Sequence, residues 1–486
     1  MDKMDKMDGM DNGNARGARA FRVVRVLRGS QKAGGPPLRS ARIAFGGGIC
    51  HNDASTGCRA GGARFPTGAR MPLKSEWTRN LLLVFGSVAL VFGACLAGDR
   101  LLGRLVMRPV LRGTMELVFP PKAEQTFGFL EFTYTARINS LGLRERELSP
   151  DPKTFRIAAF GDSYTYGWGV AAEETWLRRL EDALRAKGWR VETVNLGKPG
   201  SGPPFYAELA EKAIPLIRPD LVLVCVTQGN DLNASGDDEG APVATPQSRA
   251  AVLARALFPN TMRMIRDLRV ERMGDTRKQE MPPQKSTAED NRRWQENTAR
   301  DFHAKMTPEE RARFDAMDPR VREAFFAGTF NPYMVDLALK NPRIYSLPMN
   351  LEDPWIKTRM DNLAGYLGRI RRAAEEYGAM TAVLSVPDGP YVNKPALEGV
   401  AKVGYVPDAE WMNAKNADEG IRRAADKAGL PFCTASPAFT ARETEPDLFY
   451  ELDGHLTPKG HALYAEGIAP DIERLIAPAA PREGGK

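Results

Sequence analysis

The stretch FRIAAFGDSYTYGWGV, from Phe155 to Val170, decides the class of fold. Its first part is apolar apart from Arg156 and then ends abruptly on Gly-Asp-Ser, as a buried strand does at a polar turn. Open α/β sheets place their ligands just beyond the carboxyl ends of parallel strands. Ser163 is therefore a candidate nucleophile, although Gly-Asp-Ser alone is also a common turn. The hydrolase elbow G-x-S-x-G is not matched, because Thr165 replaces its second glycine.

Strands and helices alternate after this point in the chain. Apolar runs predict strands at Phe155–Phe160, Val191–Val194, Leu221–Val226 and Thr381–Val386. Helical periodicity predicts helices at Glu174–Lys187, Arg359–Tyr377 and Leu463–Ile476. Such alternation over short loops predicts an α/β fold, with a three-layer α/β/α arrangement around a parallel sheet.

Two other regions frame or interrupt this domain. Residues 105–154 form a short leading segment with a strand-like start. Residues 233–354 are charged and partly helical, and TPEERARF from Thr307 contains a capping box closed by Glu310. Because this region is too long for a connecting loop, it predicts a helical insertion.

The positive charge of the chain is concentrated in its first 70 residues. The 486 residues carry a net charge of +7, and 43% of them are hydrophobic, as in ordinary globular proteins. Residues 1–70 hold 13 Lys and Arg against 5 Asp, and the other 416 hold 55 basic and 56 acidic side chains. No nucleic-acid-binding domain is indicated. Low complexity predicts a disordered leader over 1–70, and Met71 is an alternative start that leaves it untranslated.

A long uncharged run, NLLLVFGSVALVFGACLAG, extends from Asn80 to Gly98. A helix needs roughly 20 such residues to cross a bilayer. We therefore predict a transmembrane helix over residues 80–103 and a single-pass anchor through residues 80–98. A buried soluble helix and a cleaved signal peptide are the alternatives. Lys and Arg are equally frequent on both sides of the run, so the positive-inside rule gives no orientation.

Three further polar motifs lie near the ends of predicted strands or before the last helix. NLGKPGSG contains Gly200, whose backbone N–H can approach a ligand closely. VTQGNDL contains Asn230, whose side-chain amide is either an oxyanion donor or a helix cap. ELDGHLTPKGH places Asp453 two residues before His455, and a carboxylate that orients a histidine is what a serine base requires. We expect His461 to be structural.

No metal and no cofactor are expected. Asp-x-His also occurs in metal sites, but no second cluster of ligands accompanies it. The spacing of the cysteines fits neither a metal site nor a disulfide framework. They are Cys50, Cys58, Cys95, Cys225 and Cys433.

Taken in this order, the four motifs resemble those of the SGNH hydrolases, also called GDSL esterases. GDSYTYG is similar to the first block of that family, with Ser163 as the nucleophile. Asp453 and His455 match the last block, although the family often has Asp-x-x-His there. The resemblance implies that His455 is the base and Asp453 its partner. It also implies an oxyanion hole formed by Ser163, Gly200 and Asn230.

The resemblance covers residues 105–230 and 355–476, and RINSLGLRERE resembles membrane-anchored bacterial members. It implies a flavodoxin-like hydrolase domain over residues 155–476. The expected activity is the cleavage of O-acetyl or other short-chain esters, on small molecules, glycans or lipids outside the cytoplasm. Two rival interpretations are an O-acyltransferase for surface polysaccharide and a non-catalytic anchored binding protein. The aromatic side chains after the serine either stack on a sugar or pack; they are Tyr164, Tyr166 and Trp168.

Overall fold

The computed structural model of the protein describes residues 73–105, 114–236 except 152, 253–265 except 255 and 263, and 285–482 except 413. Apart from Leu73, these residues belong to one compact unit, 74–486. The leader predicted over residues 1–70 lies outside the described residues.

A five-stranded sheet forms the centre of the domain. Its strands are β3 (Phe155–Gly161), β4 (Val191–Gly197), β5 (Leu221–Thr227), β7 (Met380–Val386) and β8 (Phe432–Thr434). Their order is β4-β3-β5-β7-β8, and every neighbouring pair is parallel. This is the flavodoxin-like order, in which the chain reverses direction across the sheet beside its first strand. The four predicted strands are confirmed, and β8 was missed because it is only three residues long.

Helices cover both faces of the sheet. The described part of the chain contains the helices α1 (Leu73–Leu105), α2 (Ser163–Tyr166), α3 (Trp176–Ala186), α4 (Pro203–Ile217), α5 (Asp231–Ala234), α6 (Ala288–Lys305), α7 (Pro308–Asp315), α8 (Pro319–Phe326), α9 (Pro332–Lys340), α10 (Pro354–Glu375), α11 (Gly389–Val392), α12 (Lys394–Lys402), α13 (Ala414–Ala428), α14 (Ser436–Thr440) and α15 (Pro458–Ile476). Short 3-10 turns lie at Ala172–Glu174, Ile344–Met349 and Ala409–Trp411.

Alternate residues of β3 enter two different hydrophobic cores. Ile157 packs on one face with side chains of α3 and α15. Ala158 and Phe160 pack on the other face with side chains of α4, α10 and α13. Because successive side chains of a strand point to opposite faces, an apolar run of this kind requires cover on both sides. The predicted three-layer α/β/α arrangement is therefore confirmed.

Arg156, the one charged residue of β3, is buried with an acidic partner. Its Nε lies 3.0 Å from Glu192 Oε2 on β4, and a guanidinium nitrogen donates to the carbonyl of Ser149 at 2.8 Å. Both side chains of the pair are more than nine-tenths buried. The buried ion pair explains how a charge is tolerated inside an otherwise apolar strand.

Helix caps decide where two of the predicted helices begin. The last helix starts at Pro458, five residues before the predicted start, because the Thr457 hydroxyl accepts from the amide of Gly460 at 3.2 Å. The helix predicted from Arg359 starts at Pro354, where Asp353 is the cap. Pro at the first helical position follows both caps, as capping rules expect.

A second, smaller sheet lies ahead of the main domain. The leading segment, residues 105–154, supplies the antiparallel hairpin of β1 (Glu124–Gly128) and β2 (Thr133–Arg137). A third strand, β6 (Lys285–Ser286), pairs with β1 in parallel. It comes from residues 233–354, whose described part also contains α6 to α9, with the predicted capping box of Thr307 and Glu310.

The first helix is the longest element of the described chain. Within α1, Glu76–Leu102 has a mean hydropathy of 2.4 over its most apolar stretch and leaves that stretch unburied by the rest of the chain. Helix α1 is thus long and apolar enough to span a membrane, and it is longer at both ends than the predicted span of 80–103.

Candidate active site

The turn after β3 exposes Ser163 at the edge of the sheet. Gly161 ends the strand because the chain folds back on it: a Cβ there would lie 2.0 Å from Thr165 Oγ1. Asp162 caps the short helix α2, accepting from the amide of Tyr164 at 3.0 Å. Ser163 is the first residue of α2 and is only partly buried. The three residues therefore close the strand, start the helix and present the hydroxyl.

A continuous hydrogen-bond path links Ser163 to His455 and Asp453. Ser163 Oγ lies 2.7 Å from His455 Nε2, and His455 Nδ1 lies 2.6 Å from Asp453 Oδ1. An ionised carboxylate only accepts, so Nδ1 carries the proton and Nε2 is free to accept from the serine hydroxyl. This tautomer is the one that a general base requires.

Two side chains hold Asp453 in place. Trp168 Nε1 donates to Asp453 Oδ2 at 3.2 Å, which leaves Oδ1 to the histidine. Glu131, in the turn between β1 and β2, accepts from the amides of Leu452 and Asp453 at 3.1 and 2.7 Å. Burial raises the pKa of Glu131. The loop with the short Asp-x-His spacing is thus held by Trp168 and Glu131, which both lie outside the strands of the main sheet.

The pKa of His455 reflects burial and a negative neighbour. Burial lowers this pKa, while the charge of Asp453 and its hydrogen bond raise it, and the net result lies above the ordinary value of 6.5. A histidine base acts in its neutral form. The raised pKa makes the neutral imidazole of His455 a stronger base, but this neutral form predominates only at pH values above that pKa.

Gly200 and Asn230 lie beside Ser163 around the same cavity. Gly200 has φ +71°, in the left-handed region that glycine adopts without strain. Asn230 stands at the start of α5, but its side chain makes no capping hydrogen bond. Instead its Nδ2 lies 3.4 Å from Asp162 Oδ2. The helix-cap alternative for this side chain is therefore not supported, and its amide remains near the serine.

A cavity of about 250 Å³ opens in front of these residues. Six apolar side chains form much of its wall: Met334, Leu337, Ile344, Pro390, Ala396 and Val400. Tyr164 and Trp168 also line it, whereas Tyr166 packs away from it against Phe119. Of the three aromatic side chains, Tyr166 therefore packs inside the protein, whereas Tyr164 and Trp168 face the cavity.

One wall of the cavity comes from the region between β5 and β7. Helix α9 contributes Met334 and Leu337, and the 3-10 turn at Ile344–Met349 contributes Ile344 and Tyr345. The described part of residues 233–354 therefore lines the same cavity as the serine.

Among the described residues, neither another histidine nor a cysteine lines this cavity. His461 is fully buried, its Nδ1 accepts from the amide of Trp176 at 3.2 Å, and burial lowers its pKa to about 3. His303 packs against Phe314 and Phe326. Within the described ranges, no three His, Cys, Asp or Glu side chains are grouped to hold a metal ion.

Sequence reasoning missed Glu131 and Asp388, and it did not predict the bond between Trp168 and Asp453. The bonds of Trp168 and Glu131 to the Asp453 loop cross the chain and have no local signal. Asp388 also lines the cavity, and its place two residues after β7 is a signal of the kind that identified Ser163. The strand-end rule, applied to every strand, finds it.

Comparison with protein families identifies the class of enzyme. A sequence profile of the GDSL-like lipase/acylhydrolase family matches residues 159–328. The matched segment includes Ser163, Gly200 and Asn230, whereas Asp453 and His455 lie beyond it. Over residues 159–328 the chain carries a GDSL-like lipase/acylhydrolase domain of the SGNH hydrolase type, and it is an ester-hydrolysing enzyme. No curated protein matches the chain.

Solved structures of similar fold share little sequence with it. A lipase/acylhydrolase from Enterococcus faecalis is 13% identical, with a TM-score of 0.30, and the match covers 68% of this chain and 100% of that one. A lipolytic G-D-S-L family protein from Veillonella parvula is 8% identical (TM-score 0.29; 66% and 100%). A mutant acetyl-xylooligosaccharide esterase from Geobacillus is 11% identical (TM-score 0.30; 65% and 94%). At these values the neighbours say nothing about the substrate of this chain.

Filling the α9 wall should reduce activity according to substrate size. We expect Met334→Trp to lower kcat/KM for a hexanoyl ester about ten-fold and to leave an acetyl ester within about two-fold, since one methylene in a pocket changes discrimination by roughly 10–200-fold. Lys340→Trp adds the same indole to α9 outside the cavity lining and is the control. Equal losses on both esters would show that α9 does not form the acyl wall.

Proposed function

We propose that this enzyme hydrolyses short acyl esters by nucleophilic catalysis, with Ser163 as nucleophile, His455 as base and Asp453 as its orienting acid. The observation that carries the proposal is the path from Ser163 Oγ to His455 Nε2 at 2.7 Å and on to Asp453 at 2.6 Å. A serine hydroxyl is a poor nucleophile until a base within hydrogen-bond reach accepts its proton. Both distances lie within that reach.

The chemistry follows from this geometry. Ser163 Oγ attacks the ester carbonyl while its proton passes to His455 Nε2, and the charge of Asp453 stabilises the imidazolium. As the tetrahedral intermediate collapses, the imidazolium protonates the leaving alcohol and an acyl-serine remains. Water then attacks the acyl group, His455 accepts its proton, and the carboxylic acid leaves with the serine restored.

The negative charge on the tetrahedral oxygen requires donors that are already in place. We assign this role to the backbone N–H groups of Ser163 and Gly200 and to the side-chain amide of Asn230. All three residues line the cavity, and the Asn230 side chain is not used as a helix cap. Fixed donors of this kind stabilise the transition state more than the ground state.

The size of the cavity favours short acyl groups. A volume of about 250 Å³ lies below the range of about 300–1,000 Å³ that is usual for small-molecule sites. The apolar wall fits the hydrocarbon part of such a group. We propose that the substrate is an ester of an extracytoplasmic carbohydrate or lipid. An apolar helix of membrane-spanning length ahead of the domain agrees with this location.

A fluorophosphonate probe tests the nucleophile. We expect it to label the wild-type enzyme at Ser163 and to leave Ser163→Ala unlabelled, because only an activated hydroxyl reacts. Mass spectrometry of the labelled peptide locates the adduct. Ser201 follows Gly200 in the chain, and Ser201→Ala is the matched control. Labelling of Ser163→Ala at the wild-type level would remove Ser163 from the mechanism.

Asn230→Ala separates transition-state stabilisation from structure. Loss of one oxyanion donor should lower kcat about 10²–10³-fold, whereas KM should change little because ground-state binding is retained. The checks are the kinetics of a short aryl ester and the thermal midpoint of the same preparation. A lowered midpoint with an unchanged kcat would contradict the oxyanion role.

Reporter fusions test the location of the domain. We propose that α1 anchors the protein and that the catalytic domain lies outside the cytoplasm. A phosphatase that is active only outside the cytoplasm should therefore be active when fused after Arg112, and a reporter active only in the cytoplasm should be inactive there. The reverse pattern would place the domain in the cytoplasm.

A further inference from the structure

Asp388 is a buried carboxyl group that the proposed mechanism does not use. It follows β7, is 6% exposed and lines the same cavity as Ser163 and His455. It stands at the N-cap position of α11, but its side chain makes no capping hydrogen bond. The carboxyl group still accepts a hydrogen bond from the backbone of Gly389 at the start of α11, and it also lines the cavity.

Tyr164 links this carboxyl group to the catalytic loop. The Tyr164 hydroxyl lies 3.1 Å from Asp388 Oδ1 and 3.1 Å from the carbonyl oxygen of Gly454. A tyrosine hydroxyl has one proton, so it cannot donate to both acceptors at once. An ionised Asp388 thus competes with the Gly454 carbonyl group for the proton of the Tyr164 hydroxyl. A substrate that donates its own hydrogen bond to Asp388 removes this competition.

The chain also leaves space for this carboxyl group next to Asn230. A Cβ at Gly229 would lie 2.5 Å from Asp388 Oδ2, so any larger residue would collide with the carboxylate. The glycine of the QGND motif therefore allows a negative group to approach the backbone beside the proposed oxyanion donor.

Apart from His455, whose charge lowers the pKa of Asp388, no basic side chain among the described residues of the cavity lining compensates the negative charge of Asp388. The groups that face Asp388 are Asp162, His455 and four tyrosines. Asp453 is the third acidic side chain of the cavity lining. The tyrosines are Tyr164, Tyr345, Tyr391 and Tyr405. Among the described lining residues there is neither Lys nor Arg. Lys198 is two residues before Gly200 of the lining, but its ammonium group lies over the ring of Phe205, 4.4 Å from the ring centre.

We propose that Asp388 is a specificity-determining residue that admits esters with an uncharged, hydrogen-bond-donating acyl group and rejects esters with an anionic acyl group. The inference rests on the proposed function, because it concerns the same cavity. Two like charges in a desolvated site repel strongly, whereas a substrate hydroxyl or amide N–H can donate to the carboxylate.

Protonation should switch this selection off. Burial raises the pKa of Asp388 to about 6, against the opposing hydrogen bond from Tyr164. The carboxyl group is therefore mostly ionised above that pH and mostly neutral below it. Rejection of anionic esters should be strong at high pH and should weaken as the pH falls through about 6.

The test compares two aryl esters of the same shape and different charge. One is the p-nitrophenyl monoester of adipic acid, which is anionic, and the other is the corresponding ester of adipic acid monoamide, which is neutral. The ratio of their kcat/KM values, corrected for uncatalysed hydrolysis, cancels ionisations that affect both substrates, including that of His455. The range from about pH 5.5 to pH 8 keeps the adipate carboxylate mostly ionised, since a carboxyl pKa is ordinarily about 4.3.

We expect the wild type to prefer the neutral ester roughly ten-fold at the upper pH, in line with the cost of like-charge contact, and to lose that preference as the pH falls. Asp388→Asn keeps an oxygen for Tyr164 but has no charge, so its ratio should be near one and independent of pH. The control Asp361→Asn removes the same charge from an exposed pair with Lys427, outside the cavity lining, and should behave as the wild type.

A wild-type ratio that does not change with pH would overturn the proposal without any variant. An equal ratio in wild type and Asp388→Asn would overturn it as well. Ser163→Ala is measured beside them: if this variant hydrolyses both esters at the wild-type rate, the proposed nucleophile fails instead. The two failures are therefore distinguishable.

Discussion

The hydrogen bond between Ser163 and His455 joins residues that are 292 positions apart, and the proposed chemistry depends on that single contact. Only the parallel sheet makes it possible. Ser163 follows β3, the first strand of the main sheet along the chain, and His455 lies between β8, the last strand of that sheet, and α15. Because parallel strands end at the same edge, residues distant in sequence are delivered to one place without strain.

The loop that carries His455 is positioned by residues outside the central sheet. Glu131 binds its backbone, and Trp168 binds the free oxygen of Asp453. Trp168 is in turn surrounded by aromatic rings of the β1–β2 hairpin, contributed by Phe127, Phe129, Phe132 and Tyr134. The segment between the apolar helix and the hydrolase domain is thus part of the architecture of the site, because it fixes the indole and the carboxylate at once.

The cavity combines an apolar wall with acidic polar groups. Helix α9 supplies apolar side chains from the insertion, while Asp162, Asp388 and Asp453 supply the carboxyl groups. In a partly desolvated site, such charges act more strongly than they would in water. In the proposed function, the apolar wall limits the length of the acyl group and the carboxyl groups limit its charge, and these side chains come from different parts of the chain.

The amino-acid sequence by itself determined the elements and the identities of the residues that meet at the cavity. Apolar runs gave four of the five central strands, and strand-end motifs with a family resemblance pointed to Ser163, Gly200, Asn230, Asp453 and His455. Such signals are local, because strand alternation, helix periodicity and turn chemistry act over a few residues.

Only the tertiary structure decided how those residues are used. It showed that the Asn230 side chain makes no cap, that Trp168 and Glu131 hold the Asp453 loop, and that α9 forms a wall of the cavity. It also showed that Asp388 lines the cavity. Each of these facts depends on which distant segment packs against which. That choice is made by burial of the whole chain, and no short stretch of sequence encodes it.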